Sequence, residues 1–373
     1  MILILFCAAL FLAYSNGAND NFKGVATLFG SGTTNYKRAI NWATVTTLIG
    51  SVAAIFLAGT LVKNFSGKGL VPDELIQTPS FTVSIAMGAA STVFLATKIG
   101  MPISTTHALV GGLFGSGFLA VGAAFNFSKL GDTFLMPLIV SPLIALLLSM
   151  SAYLVLGKIR IASGITKETC FCVVDDCNSV RVTSYQSQSI ALDGEISKKL
   201  VVGTNQECIT TYSGNIFGID AQVILDYAHY ISSGVVSFAR GLNDTPKIVG
   251  LLLVVNALDI KFGMIAIAVA MAVGGLLNAK KVGETVSKKI TPMDHGQGFT
   301  ANLITGLLVT TASIHGLPVS TTHVSVGSIF GIGTVTKKAD LKVVKNILMS
   351  WLLTLPIAAI FSAAIYWLLL NLF

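Results

Sequence analysis

The sequence predicts an all-α integral membrane protein made of two inverted-topology repeats of transmembrane helices, each with a re-entrant helical hairpin. Three observations carry this: a composition too apolar for a water-soluble chain, apolar runs of spanning length along its whole course, and two motifs that each occur twice in the same order. Of 373 residues, 53% are hydrophobic and 11% charged, and the mean hydropathy is +0.78. Soluble domains carry roughly a quarter charged residues, so most of this surface faces something other than water. The lipid bilayer is the expected partner, and nucleic acid is not.

Ten apolar runs lie at about 3–30, 40–62, 80–98, 102–125, 134–157, 222–256, 262–279, 296–314, 318–335 and 345–371. About twenty helical residues cross a hydrocarbon core of about 30 Å. The first run lacks a basic leader and a small-residue cleavage site, so it is expected to stay as a span. Basic residues gather in alternate connections: Lys37 and Arg38; Lys98; Lys158, Arg160 and Lys167; Lys280, Lys281, Lys288 and Lys289; Lys337, Lys338, Lys342 and Lys345. The positive-inside rule makes those connections cytoplasmic, which places both termini outside a cell (inner) membrane.

The segment GMPISTTHALVGGLFGSG begins at Gly100 and GLPVSTTHVSVGSIFGIG at Gly316, aligning as G-x-P-x-S-T-T-H-x-x-x-G-x-x-F-G-x-G. Upstream of each stands a second motif, GANDNFK from Gly17 and GLNDTPK from Gly241. The Asp pair is 224 residues apart and the Ser pair 216, so order and spacing are kept. Hydroxyls beside Gly and Pro make a poor lipid-facing turn, so each STTH segment is expected in a hairpin buried in protein. A first repeat with an odd number of crossings inverts the second. The expected division is a first transmembrane repeat at 1–157, a polar insert at 158–221 and a second repeat at 222–373. Inverted repeats characterise secondary transporters, whose site lies near the midplane between the repeats. No nucleotide-binding motif is present, so the energy source is an ion gradient, and no enzyme activity or cofactor is expected.

Asp20 and Asp244 lie in apolar runs, where an ionised carboxylate costs several kcal/mol unless it is paired or coordinated. Asn19 and Asn243 precede them, and Gly17 and Gly241 permit local unwinding that would expose backbone oxygens. Such an oxygen-only set suits a hard cation, Na⁺. The plainer alternative is an ion pair with the lysine three positions on, Lys23 or Lys247. Pro246 is expected to break its helix and free a carbonyl. Ser104, Thr105 and Thr106, with Ser320, Thr321 and Thr322, follow Gly-x-Pro as the start of a helix, whose free N–H groups and dipole favour an anion. Simple capping accounts for one hydroxyl of each three. His107 and His323 read more readily as packing residues than as proton carriers, and Lys23 and Lys247 either neutralise the anion or snorkel.

GANDNFKG, GLNDTPKI and the two P-x-S-T-T-H segments resemble the duplicated signatures of the inorganic phosphate transporter (PiT) family. The resemblance implies phosphate as substrate, an inverted-repeat helical fold, and coupling to Na⁺ or H⁺. It carries cation roles onto Asn19, Asp20, Asn243 and Asp244, and phosphate roles onto the two Ser-Thr-Thr triplets. Two departures stand out. GETVSKKI from Gly283 looks like a family segment, whereas its first-repeat counterpart near Leu61–Phe65 has lost the Glu. Where many members have an intramembrane Glu in the second span, this chain has Thr47, which shifts weight from H⁺ to Na⁺. The family also contains sulfate carriers, and an anion channel is the alternative of another class; a homodimer is the expected assembly. The insert contains alternating runs such as Val180–Tyr185 that predict short strands, and Cys170, Cys172, Cys177 and Cys208, whose spacing matches no strong zinc pattern.

Overall fold

The computed structural model describes residues 1–166, 169–177, 196–204, 218–254 and 259–372. Ten helices of sixteen residues or more stand among them. These are α1 (Ile2–Asp20), α2 (Tyr36–Leu57), α3 (Pro79–Ile99), α4 (Thr105–Val121), α5 (Met136–Ala162), α6 (Ala221–Val249), α7 (Ile260–Asn278), α8 (His295–Ile314), α9 (Thr321–Thr336) and α10 (Leu341–Leu372). Each coincides with one of the ten apolar runs. Seven described segments are long and apolar enough to cross a bilayer, beginning at Ile2, Tyr36, Pro79, Thr105, Phe127, Ile260 and Leu341. The other three, α6, α8 and α9, fall short of the expected ten. Their polar residues explain it: α6 buries Arg240, Asn243, Asp244 and Lys247, and α8 buries Gln297, Thr300, Asn302 and Thr305, all shielded from lipid by other helices. The outward faces of α5 and α10 carry Ile139, Leu143, Leu147, Leu352 and Ile360, all well exposed. That is the surface a multi-pass membrane protein presents to hydrocarbon.

The chain forms two compact units, one of Met1–Leu154 with His229–Phe373 and the other of Val155–Ala228. In the second, strands β1 (Thr169–Cys177), β2 (Ile196–Thr204) and β3 (Gly218–Asp220) form an antiparallel sheet in the order β2-β1-β3, with Thr169 opposite Thr204 and Cys177 opposite Ile196. The strand expected at Val180–Tyr185, and Cys208, lie outside the described residues.

Within the first unit the helix contacts occur in pairs. A Cβ on Gly17 of α1 would lie 1.9 Å from the Met271 carbonyl oxygen of α7, and one on Gly241 of α6 would lie 2.1 Å from that of Thr47 in α2. Met271 and Thr47 are themselves separated by the 224 residues that separate Asp20 from Asp244. Gly50 against Phe238 and Gly274 against Tyr14, each 2.0 Å from a carbonyl oxygen, repeat the exchange. In lipid, where apolar side chains gain little by leaving their solvent, such small-residue contacts let helix backbones approach and pack. This corrects the expected role of Gly17 and Gly241: both sit in continuous helix and serve close approach, not unwinding. Helix α6 likewise runs through Pro246 to Val249. A proline removes one backbone bond, which neighbouring helices compensate, so the expected break is absent.

The α1 helix does tighten immediately after its N-D pair, passing into a 3-10 turn at Asn21–Val25 before Ala26–Gly30. On α6 the 3-10 turn comes later, at Gly250–Val254. Substituting Gly241→Ala is expected to lower the thermal midpoint of the detergent-solubilised protein, at a cost of about 1–3 kcal/mol or more for overpacking. Gly59→Ala, where a Cβ meets nothing within 4 Å, leaves the midpoint unchanged or higher; equal behaviour of the two variants contradicts the packing assignment.

Candidate functional site

Both STTH segments form the start of a helix in nearly identical backbone geometry. Ser104 (φ −97°, ψ 115°) accepts at Oγ from the His107 N–H, 3.1 Å, and Ser320 (φ −98°, ψ 118°) accepts from the His323 N–H, 3.2 Å. The serine of each triplet is therefore taken up by its own helix, and the threonines reach outward. Gly100 and Gly316 (φ +83° and +71°) let the chain reverse between α3 and α4 and between α8 and α9. The two reversals meet. Thr322 donates to the Ile103 carbonyl (3.0 Å), Thr106 to the Val319 carbonyl (3.5 Å), and the His107 and His323 rings stand edge to face with centroids 4.4 Å apart. His323 also stacks on Trp351 at 3.8 Å, and Trp351 donates to the Pro102 carbonyl at 3.2 Å. The histidines thus pack the junction, as expected of them.

The N-D motifs come to the same place. Asp20 pairs with Lys23 through Oδ1 and accepts at Oδ2 from Thr105, 3.0 Å. Lys23 Nζ also donates to Asn19 Oδ1 (2.9 Å), the Ile103 carbonyl (2.8 Å) and Thr322 Oγ1 (2.7 Å). In the other half Lys247 Nζ donates to Thr106 Oγ1 (2.8 Å) and the Val319 carbonyl (2.6 Å), and lies 3.5 Å from Asp244 Oδ1. Each lysine therefore binds the hairpin hydroxyl of the opposite half. Asn243 departs from its counterpart, directing Nδ2 at Asp244 Oδ1 and the Val319 carbonyl, both 3.1 Å. Thr321 is buried with no hydrogen bond among the described residues.

Two participants escaped the sequence reading. Arg240, 1% exposed, donates through Nη2 to Asn16 Oδ1 (2.6 Å) and through Nη1 to Asn21 Oδ1 (3.0 Å), with Nε 3.6 Å from Asp244 Oδ2. Asn16 Nδ2 in turn reaches Thr105 Oγ1 (3.0 Å), Asp20 Oδ2 (3.1 Å) and Asp244 Oδ2 (3.2 Å), joining the two carboxylates through one amide. The signal was available: an arginine in an apolar run is as costly as an aspartate, and Arg240 and Asn16 occupy the same place before their motifs. Thr47, standing where a carboxylate was looked for, donates to Asn21 Oδ1 at 3.3 Å and lies 3.4 Å from Arg240 Nη1.

The two aspartates, two lysines and Arg240 sum to a formal charge of +1, which favours an anion. The side chains of Asn16, the two N-D pairs, the three cations and the six triplet hydroxyls are each at most 5% exposed, so the cluster is sealed from solvent. Among the described residues no group of three or more His, Cys, Asp or Glu side chains could hold a metal; the gathered oxygens belong to amides, hydroxyls, carbonyls and the two aspartates.

The phosphate transporter family model matches residues 16–362, which include every residue of this cluster. The chain belongs to the phosphate transporter family. Members of that family are transporters and not enzymes. This transporter is 29% identical to a phosphate permease of Haemophilus influenzae, over 97% of its own length and 95% of the relative's. It is 28% identical to a phosphate permease of Thermococcus kodakarensis, over 98% and 97%. It is 26% identical to a low-affinity inorganic phosphate transporter of Rhizobium meliloti, over 97% and 94%. The solved structure of a sodium-dependent phosphate transporter shares its fold, with a TM-score of 0.76 at 24% identity, over 100% of this chain and 99% of that one.

Loss of the cap in Ser104→Ala is expected to destabilise the transporter by about 1 kcal/mol, and Ser104→Gly by only a few tenths. Thermal or denaturant titration in detergent reads the difference, and equal effects contradict the capping role.

Proposed function

We propose that this transporter imports inorganic phosphate in symport with Na⁺ by alternating access. The observation that carries the reading is the convergence of two hairpin turns and two N-D helices, one set from each half of the chain, on a single cluster sealed from solvent. A sealed site between paired halves can open to either side only by relative movement of those halves. In this reading the repeats are inverted, spanning 1–157 and 222–373 around the 158–221 insert. Phosphate is held by the helix N-terminal groups at Ser104–Thr106 and Ser320–Thr322, with Lys23, Lys247 and Arg240 supplying positive charge. Na⁺ binds at the Asn19–Asp20 and Asn243–Asp244 pairs. The sodium-dependent structural neighbour supports the choice of cation, and Thr47 supports it too, since a threonine cannot carry a proton as a glutamate can. An anion channel has no use for aspartates held beside the anion site.

Purified protein in liposomes is expected to accumulate labelled phosphate when Na⁺ is imposed outside; uptake that ignores Na⁺ and follows a pH gradient instead would refute the cation assignment. Asp20→Asn and Asp244→Asn are each expected to lower uptake at least about tenfold, equivalent to about 1.4 kcal/mol, in protein that still elutes as a folded species. For the orientation, with both termini outside the cell membrane, a cysteine introduced at Asn126 in a cysteine-free background should react with impermeant reagent added outside, and one at Lys281 should not. Both side chains are exposed, so the reverse pattern inverts the topology.

A further inference from the structure

The two cation sites read from the sequence are not alike in the folded protein, and the difference lies in the lysines. Around Lys23 Nζ stand four oxygens: Asn19 Oδ1 at 2.9 Å, the Ile103 carbonyl at 2.8 Å, Thr322 Oγ1 at 2.7 Å and the closely paired Asp20 Oδ1. This is one amide, one carbonyl, one hydroxyl and one carboxylate, the donor set that a hard monovalent cation takes. The centre of that cage is the ammonium itself. An ammonium has three N–H donors and no acceptor, so four acceptor oxygens, one of them a carboxylate, match its charged form.

The second cage is assembled differently. Asn243 Oδ1 accepts from Ser313 Oγ at 3.2 Å and not from Lys247, while the amide nitrogen is directed at Asp244. Lys247 Nζ and Arg240 Nε stand 3.5 and 3.6 Å from the Asp244 oxygens, beyond the 2.7–2.9 Å of a charge-assisted hydrogen bond. Lys247 is instead committed to Thr106 and the Val319 carbonyl. Asp244 is thus surrounded by positive charge at a distance, whereas Asp20 is directly capped by it.

We propose that Lys23 is a tethered cation that permanently fills the first of two equivalent cation cages, so that an exogenous Na⁺ enters only the second, at Asn243–Asp244. The consequence is a change in coupling: the charge that a second Na⁺ would bring is carried by the chain and is never transported. Because Lys23 Nζ also binds Thr322 of the anion-facing triplet, the same ammonium lies against the phosphate cradle. Phosphate therefore binds before Na⁺ and without it. The assignment rests on the symport reading for the second cage alone.

The test uses full-length protein in proteoliposomes and in detergent, with inorganic phosphate and Na⁺ as probes. Wild-type uptake is expected to depend on Na⁺ to first order, and phosphate to bind in Na⁺-free buffer. In Lys23→Ala, which empties the cage, phosphate binding in Na⁺-free buffer should weaken at least about tenfold (about 1.4 kcal/mol), recover when Na⁺ but not choline is added, and uptake should become second order in Na⁺. Second-order dependence in wild type overturns the proposal, as does a Lys23→Ala protein whose phosphate binding is indifferent to Na⁺. Should that variant not fold, the wild-type order and the Na⁺-free binding decide. If wild-type uptake ignores Na⁺ altogether, the symport reading falls, while Na⁺ rescue of phosphate binding in Lys23→Ala still upholds the tethered cation.

Discussion

Three cations and two carboxylates held in an apolar interior impose the constraint around which the rest of this protein is arranged. Each ion costs several kcal/mol to desolvate, and the cost is offset only where oppositely charged and hydrogen-bonding partners are held at short range. The partners come from the other half of the chain. Lys23 is satisfied by Thr322, and Lys247 by Thr106, so neither half can bury its own lysine without the hairpin of the other. The junction of the two turns at His107 and His323 follows from that exchange, and the close glycine contacts of α1 with α7 and α6 with α2 bring the N-D helices within reach of it.

The same arrangement links structure to transport. A cluster with a formal charge of +1 attracts an anion, and one sealed on all sides must be opened by motion of the elements that seal it. The bonds crossing between halves are few and specific: two lysine contacts, two hydroxyl-to-carbonyl contacts and the imidazole pair. An anion entering the cradle competes for the same lysines and hydroxyls. Binding can therefore loosen the junction that holds the two halves together, which is the differential interaction that a ligand-driven change of state requires.

The duplicated motifs do not make equivalent sites. Asn16 and Arg240 hold the same place before their N-D pairs, yet one is a neutral amide that bridges both aspartates and the other a guanidinium that shares Asp244 with Lys247. Asn19 offers its oxygen to a lysine, whereas Asn243 offers its nitrogen to an aspartate. An internal two-fold in the backbone thus carries an asymmetric pattern of charge, and the division of labour between cages comes from that asymmetry.

The sequence by itself determined the membrane class, the boundaries of the ten helices, the capped helix starts after Pro102 and Pro318, and which polar residues matter. These are local properties, because a charged or hydroxyl-rich residue in an apolar run is expensive wherever the chain goes. It could not say which partner relieves that expense. The plainer alternative for Asp20, an ion pair with Lys23, was visible three residues away, but its continuation to Ile103 and Thr322 depends on chain separations of 80 and 299 residues. The same holds for Gly17 and Gly241, whose purpose is set by a carbonyl on a neighbouring helix, and for Arg240, whose importance appears only when Asn16 and Asn21 close around it. Composition and spacing identify groups that must be satisfied; only the packing of one half against the other decides which groups satisfy them, because those contacts are long-range and reciprocal.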